Sequence, residues 1–338
     1  MLPGSCVLSL PGDYGKIPGL FDVDAILEIV EKEPYGQYRE GETFWLLNSV
    51  QQKRDEQGNR TVEVQYTDLL DLLNRRSVMY DATTTAGYKV TNADTFCHEV
   101  IRENMGSGAA VSRQITGLSV QTDRSPSPFA VIERDITSKR VSDVLKDVAD
   151  ASQRNVTTPL YLSYDFVPAV AGVTFKTYDT CRGVDRRSGA GTFALSEETF
   201  AFSSWSIERN YREMSNVIYA VSSGEVSNRT IVEVSSLPAT PSQYLRREGV
   251  ADASKELSVS GISAVGYQQL NSRRARILFE GQVNVGGLLK WNKDLSFGDL
   301  VYVVIDGTKY TCRLDAFKRD WSAEGVKTSV RLRAEELL

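Results

Sequence analysis

Histidine is almost missing from this chain: His98 is the only one in 338 residues. Cysteine is sparse as well, with Cys6, Cys97, Cys181 and Cys312 scattered singly and no CxxC pair. Zinc sites draw on clustered Cys and His, and a disulfide framework needs a dense set of cysteines, so neither is expected. No run of about 18 apolar residues occurs, and a membrane-spanning helix is therefore not expected. The opening MLPGSCVLSLPGDYG has no basic segment ahead of an apolar one. It does not read as a secretory signal, which predicts synthesis and folding in a cytoplasm. Basic runs are short too, the longest being Arg273-Arg274-Ala275-Arg276, on a net charge of −5. A nucleic-acid binder would show a basic stripe, so DNA meeting this protein is expected to pass by rather than to be held.

What is present is ordinary for a soluble globular protein: 41% hydrophobic and 25% charged residues. The length exceeds one comfortable core and predicts two or three domains. Residues 1–67 read as β, with strands over Ala25–Lys32 and Thr43–Gln52, a turn at Glu56–Asn59, and the alternating RTVEVQY after it. At Val64–Val78, VQYTDLLDLLNRRSV, the period changes from strand to helix with no Gly or Pro between. Further on, NADTFCHEVIRENM places Phe96, Val100 and Ile101 on one helical face, with Asn92 or Thr91 as N-cap. SKRVSDVLKDVADAS does the same with Val141, Val144, Leu145 and Val148, with Ser138 as a candidate cap. From Thr157 the pattern returns to strands, interrupted by a helix predicted over Ala264–Leu278. Asp306-Gly307 is a strong hairpin signal, and KTSVRLRA closes the chain as a strand.

The two ends resemble one another. DAILEIVEK followed by TFWLLNSVQQKRDEQGNRTVEVQY parallels GDLVYVVIDG followed by KYTCRLDAFKRDWSAEGVKTSVRLR, with Asp24 aligned to Asp299. This reads as one three-stranded meander used twice. The fold class expected is α+β, mainly β: two similar small β-barrel, tube-like domains with an inserted α/β domain. The boundaries expected are 1–67, 68–205 and 206–338, the last with a helical insertion around 254–278.

Candidate chemistry is thin. Cys97-His98 is the only Cys/His proximity, but helical neighbours point about 100° apart, so a half-buried structural position is preferred to a dyad. Gly106-Ser107-Gly108 follows a helix instead of opening one and reads as a helix stop, not a phosphate cradle. GVDRRSGAG (183–191) brackets Asp185, Arg186 and Arg187 with glycines; it suits a solvated loop or hairpin better than a grip on an anion. The acids Glu197, Glu198, Glu208, Glu213, Asp299 and Asp306 read as surface carboxylates, although a glycosidase pair meets in space and not in sequence. The sequons at Asn59, Asn155 and Asn228 carry little weight without a signal peptide. No residue is assigned a catalytic, cofactor-binding or metal-ligating role, and no cofactor is expected.

A set of motifs runs in order along the chain: Q-x-x-K/R-D, G-N, V-E-V-x-Y-x-D-L-L-x-L-L-x-R-R over 51–76, and GVDRRSG-x-G-x-F-x-L-S over 183–196. SIERNYREMSNVIYAVSSG (Ser206–Gly224), YLRREGVADASKEL (Tyr244–Leu257) and FGDLVYVV (Phe297–Val304) complete it. In that order they resemble the hub proteins of phage tail tips and baseplates, the siphophage Gp37-like tail hub family related to myophage baseplate hubs. The resemblance implies a virion tail component assembled in the host cytoplasm, with no enzymatic activity. It implies a homotrimer capping the tail tube, whose six barrels form a pseudo-six-fold ring around a DNA-ejection channel and adapt a six-fold tube to a three-fold tip. Implied partners are the tail tube, distal tail, tape measure and tail-tip or fibre proteins. The alternatives are a tail-associated cell-wall hydrolase and a carbohydrate-binding module. On this reading Val64–Val78 is the seam between the first barrel and the α/β insertion. Leu69, Leu70, Leu72 and Leu73 are expected to pack the short helix, and Arg75 and Arg76 to suit its C-terminal end.

Overall fold

The computed structural model describes residues 4–12, 22, 25–29, 31–32, 38–39, 44–80, 87–136, 138–152, 162–169, 172–179, 182–188, 194–196, 201–212, 214–224, 229–237, 246–254, 256, 258–273, 276–283, 294–322 and 325–334. The chain groups into two compact units, 1–149 with 162–179, and 150–161 with 180–338. It is mostly β, with two curled half-barrel sheets.

In chain order the first elements are β1 (Ser5–Pro11), β2 (Ile26–Glu28), β3 (Glu31–Lys32), β4 (Tyr38–Arg39), β5 (Phe44–Arg54) and β6 (Arg60–Asp68). The single turn α1 (Asp71–Asn74), β7 (Tyr88–Asn92), α2 (Ala93–Asn104), β8 (Leu118–Val120), β9 (Val131–Asp135), α3 (Val141–Ser152), β10 (Ser163–Ala169) and β11 (Gly172–Tyr178) follow. Then come β12 (Ala194–Ser196), β13 (Phe202–Asn210), β14 (Val217–Val221), β15 (Ile231–Ser235), β16 (Glu248–Asp252), α4 (Val259–Ser272), β17 (Arg276–Val283), β18 (Leu300–Ile305), β19 (Thr308–Ser322) and β20 (Gly325–Ala334).

The alternation in RTVEVQY puts Val62, Val64 and Tyr66 inward, where they form a core with Cys6 under Leu8, Leu10, Leu27, Trp45 and Leu47. The helical periodicities hold as well. Phe96, Val100 and Ile101 of α2 and Val141, Val144, Leu145 and Val148 of α3 are all buried. Asn92 occupies the N-cap of α2, but its side chain donates to the Phe129 carbonyl (2.6 Å) instead of capping the helix. Ser138 sits three residues ahead of α3 with φ of 62°, so it is not the adjacent cap that the sequence suggested. Asp306 and Gly307 both have positive φ (49° and 73°), the geometry a two-residue type I′ hairpin demands.

The longer helix differs from its expected position. It spans Val259–Ser272 and starts where the Ser258 hydroxyl accepts from the Gly261 amide (3.1 Å), while Arg276–Val283 is a strand. The apolar run after Arg276 reads equally well at either period, and pairing with β13 and β20 decides for the strand. α4 covers one face of the sheet β15-β14-β16, through Ile262 and Leu270 against Ile218, Ala220 and Val234. This small layer lies in sequence between β13 and β17, which pair directly.

The repeated unit is larger than the sequence suggested. The first sheet has the order β1-β6-β5-β2, and the second contains β17-β20-β19-β18, so four strands recur with the same chain order and connectivity. Register matches too. Cys6 pairs with Tyr66 and Tyr66 with Leu47, as Phe279 pairs with Leu332 and Leu332 with Leu314. A bulge follows at the same place in each, leaving Asn48 and Asp315 as the extra residues. The amide of Leu47 donates to the Ala25 carbonyl (3.1 Å) as that of Leu314 donates to Asp299 (2.9 Å). Asp299 therefore corresponds to Ala25, one residue on from the expected Asp24, which lies outside the described residues. The bulges bend each long hairpin at matching points, which curls both sheets alike. The second sheet adds β13 beyond β17 and β12 beyond β18.

Candidate functional site

Three clusters gather the polar residues that the sequence brought forward. The first is His98, on the inward face of α2. Its side chain is completely buried; Nδ1 lies 2.7 Å from Asp123 Oδ1, and Nε2 lies 3.0 Å from Thr177 Oγ1. The ionised carboxylate accepts from Nδ1–H, so Nε2 accepts from the threonine hydroxyl. Burial pushes the imidazole pKa below its ordinary value despite the pull of Asp123. Burial also opposes ionisation of Asp123, but Arg102 and His98 together hold its carboxyl below the usual range. Arg102 reaches the same Asp123 oxygen. The half-buried structural position expected from the sequence is thus held by a fully buried and doubly bonded histidine. Its partners lie 25 and 79 residues away, beyond the reach of any spacing argument. The Thr-His-Asp order resembles a catalytic relay. With Thr177 and His98 at 1% and 0% exposure, however, no substrate reaches the hydroxyl, and the group ties α2 to β11. Cys97 next to it is buried, and burial pushes its thiol up, away from reactivity.

The second cluster joins two stretches that are far apart in sequence, GVDRR (183–187) and FGD (297–299). Asp299 is fully buried. Its Oδ1 accepts from the Val184 amide (2.8 Å), and its Oδ2 from the Ser296 amide (2.8 Å) and Arg186 Nε (2.5 Å). Backbone bonds run alongside, from Leu300 to Val184 (3.0 Å) and from Arg186 to Leu300 (2.9 Å). A Cβ on Gly183 would overlap the Gly298 carbonyl and the Asp299 nitrogen, so only glycine fits there. Arg187 binds Asp185 through Nε and Nη2 (2.9 and 2.7 Å), which holds the Asp185 carboxyl down at about 2. Both arginines thus have carboxylate partners within the second unit. Asp299, read from sequence as a surface acid, is instead the pin of this junction.

The third cluster is the strand-to-helix seam. Asp68 ends β6, and its carboxylate accepts from the Gly4 amide (2.6 Å) and the Leu70 amide (3.0 Å). Burial raises its pKa to about 6, against the opposing effect of those two bonds. Leu69, Leu70 and Leu73 are buried while Leu72 is only partly so. Arg75 pairs with Asp71 one turn back (2.7 Å), and the Arg76 carbonyl accepts from the Val141 amide (3.0 Å), which docks the start of α3. Helix α1 is a single turn, so these side-chain and backbone bonds replace the dipole contact expected of Arg75 and Arg76.

The remaining candidates resolve simply. Gly106 and Gly108 donate to the Ile101 and Arg102 carbonyls (2.9 and 3.0 Å), ending α2 as a helix stop. Asn59 sits in the β5–β6 turn, bonded to Asp55. Glu197, Glu198, Glu213, Cys181, Asn155 and Asn228 lie outside the described residues. Among the described residues no group of three or more His, Cys, Asp or Glu is placed to hold a metal ion, and no helix is long and apolar enough to cross a membrane.

From just before β5 into β20, over residues 42–333, the chain matches the model of the siphovirus ReqiPepy6 Gp37-like proteins. It belongs to that family. Two solved structures share the fold of this Gp37-like chain. One is a tail protein from Neisseria meningitidis MC58, with a TM-score of 0.61 at 14% identity, covering 99% of this chain and 89% of the other. The second is the 43 kDa tail protein of prophage MuSo2 from Shewanella oneidensis, with a TM-score of 0.55 at 13% identity, covering 97% and 93%. No curated protein matches the sequence. The Gp37-like match takes in β5 and β6 of the first sheet, the repeated four strands of the second, and the three clusters apart from Gly4. The chain is thus a Gp37-like siphovirus family member with the fold of two tail proteins.

Proposed function

We propose that this Gp37-like protein is a structural component of a phage tail and its hub: a homotrimer that caps the tail tube at the tip or baseplate and forms part of the channel through which DNA leaves. The observation that carries this reading is the four-stranded unit built twice with the same order, register and bulge. Three chains with two such units each supply six near-equivalent modules. Heterologous contacts between them close into a pseudo-six-fold ring that faces a six-fold tube on one side and a three-fold tip on the other. In this reading 1–67 and 206–338 are the two modules and 68–205 lies between them. The mild net acidity suits a channel that lets phosphate pass. Its neighbours are then the tail tube, distal tail, tape measure and tip or fibre proteins, in a virion assembled in the host cytoplasm. No residue is given a catalytic or cofactor-binding role.

The test is the solution mass together with class-averaged micrographs. A hub runs at three times the 37.5 kDa chain mass and averages to a ring with six lobes. A monomer that releases soluble fragments from peptidoglycan would instead establish the hydrolase alternative. A monomer retained on a glycan column without turnover would establish the binding module.

A further inference from the structure

The two repeats differ at one edge. In the second, β17 is an interior strand: β20 flanks it on one side and β13 on the other. Its counterpart β1 ends its sheet, with β6 as its only neighbour among the described strands. The Asp68 amide donates to the Gly4 carbonyl (3.2 Å), which sets the phase of the ladder. Cys6, Leu8 and Leu10 therefore exchange bonds with β6, while Ser5, Val7 and Ser9 point their N–H and C=O groups away from it. Val7 is 56% exposed. The matching residues of the second repeat are Leu278, Glu280 and Gln282, and these are paired with Glu208, Ser206 and Ser204 of β13. An open strand edge of this kind is a template for another chain.

We propose that β1 is a strand-addition site, and that its occupant is an extended segment donated by a different protein of the tail. The second repeat specifies the chemistry. β13 runs antiparallel to β17, with Ile207 opposite Phe279, Trp205 opposite Gly281 and Phe202 opposite Val283. Transferred to the first repeat, these positions face Cys6, Leu8 and Leu10. The donated segment is thus antiparallel, with large apolar residues at alternate positions and short polar residues between them, which face out beside Ser5, Val7 and Ser9. A second copy of this chain has no spare strand of this pattern in β13, because each β13 is already paired in its own sheet. Backbone bonds supply affinity in such an arrangement and the alternate side chains supply selectivity. That the donor is a tail protein rests on the proposed function, whereas the open edge of β1 depends neither on it nor on the trimer.

Residue-resolved amide exchange on the full chain tests it, with a synthetic peptide of residues 201–211, AFSSWSIERNY, as the probe. Without peptide, the amides of Ser5, Val7 and Ser9 exchange freely while those of Cys6, Leu8 and Leu10 are slow. Adding the peptide slows the first three by about tenfold or more. A peptide carrying Trp205→Lys and Ile207→Lys leaves them fast. Val7→Pro, which a free edge tolerates, keeps the far-ultraviolet spectrum and abolishes the response. Three results would overturn the proposal. They are slow exchange at all three positions in the free protein at every concentration, slowing that depends on protein concentration alone, or no response to saturating peptide.

Discussion

Asp299 and Arg186 lie 113 residues apart in sequence and form a 2.5 Å ion pair that fastens the 183–187 loop to the head of β18. Removing one partner of a buried pair leaves the other charge stranded, at a cost of about 3–5 kcal/mol. Asp299→Ala also orphans the Val184 and Ser296 amides, so it is expected at the upper end of that range. Arg186→Met leaves Asp299 with both backbone donors and is expected to cost less. Urea midpoints of the two variants against the parent check the order. Equal midpoints for all three would mean that the junction contributes nothing.

Gly183→Ala tests the same junction without touching charge. The added methyl meets backbone and not a flexible side chain, so the loop must move off Gly298. A loss of about 2–4 kcal/mol is expected, comparable to a severe core substitution, together with faster exchange of the Val184 and Arg186 amides. A loss below about 0.5 kcal/mol, the size of an ordinary surface change, would contradict the close approach.

His98 is predicted to matter for stability and for its dependence on pH. Its folded pKa is depressed below the ordinary value of about 6.5. Its contribution is therefore complete above that value and is lost as pH falls through the folded value. Asp123, also depressed, acts in the same direction at lower pH. His98→Ala leaves Asp123 and Thr177 without their partner and opens a cavity, for an expected loss of about 3–5 kcal/mol at pH 7.5. The variant should also lose part of the parent's acid sensitivity as pH falls below about 6.5. Thermal midpoints across that range read both effects.

What the sequence made legible follows from the range of each interaction. Helices α2 and α3, the hairpin at Asp306-Gly307 and the inward set Val62, Val64 and Tyr66 depend on neighbours within a few residues, and the pattern revealed them. The repeat was visible as three strands only. The fourth member pairs Cys6 and Phe279 with strands far along the chain, and no local pattern encodes that. The partners of His98, Asp299 and Asp68 were hidden for the same reason. Each is a contact across 25 residues or more, apart from the bonds to Ser296 and Leu70. GVDRR and FGD were noticed as motifs, yet nothing in either indicates that one closes on the other. The misplaced helix had a different origin, since Ile277 to Phe279 satisfies both periods until a partner strand is present.

Asp68 is expected to bend the stability profile the opposite way from His98. Its folded pKa is about 6, above the ordinary carboxylate value of about 3.9. The fold therefore gains from its proton below about pH 4 and loses that gain as pH rises through about 6. The shift sets an upper bound of about 3 kcal/mol, and solvent access at the strand end reduces this to about 1–2 kcal/mol. Asp68→Asn removes the titration while keeping one acceptor for the Gly4 or Leu70 amide. Its stability should be flatter than the parent's between pH 4 and 7, whatever its absolute value. Parallel slopes for the two proteins would show that the carboxylate does not titrate in this window.

Gly266 separates two opposing effects in α4. Glycine inside a helix costs about 1 kcal/mol relative to alanine, so Gly266→Ala in an isolated helix would be stabilising. Here a Cβ would lie 2.9 Å from Val234 Cγ2 and 3.3 Å from Ala220 Cβ, where the helix presses on β14 and β15. The neighbour that must yield is a valine methyl, which can move a few tenths of an ångström but not leave. The two effects should nearly cancel in Gly266→Ala, giving a change within about 1 kcal/mol of zero. Gly266→Leu has the same helical advantage with far more volume, and is expected to cost about 2–3 kcal/mol by lifting α4 from the sheet. Combining Gly266→Leu with Val234→Ala should recover at least half of that loss, because the truncation clears the contact that opposes it. A double variant no more stable than the sum of its parts would place the strain elsewhere than at Val234.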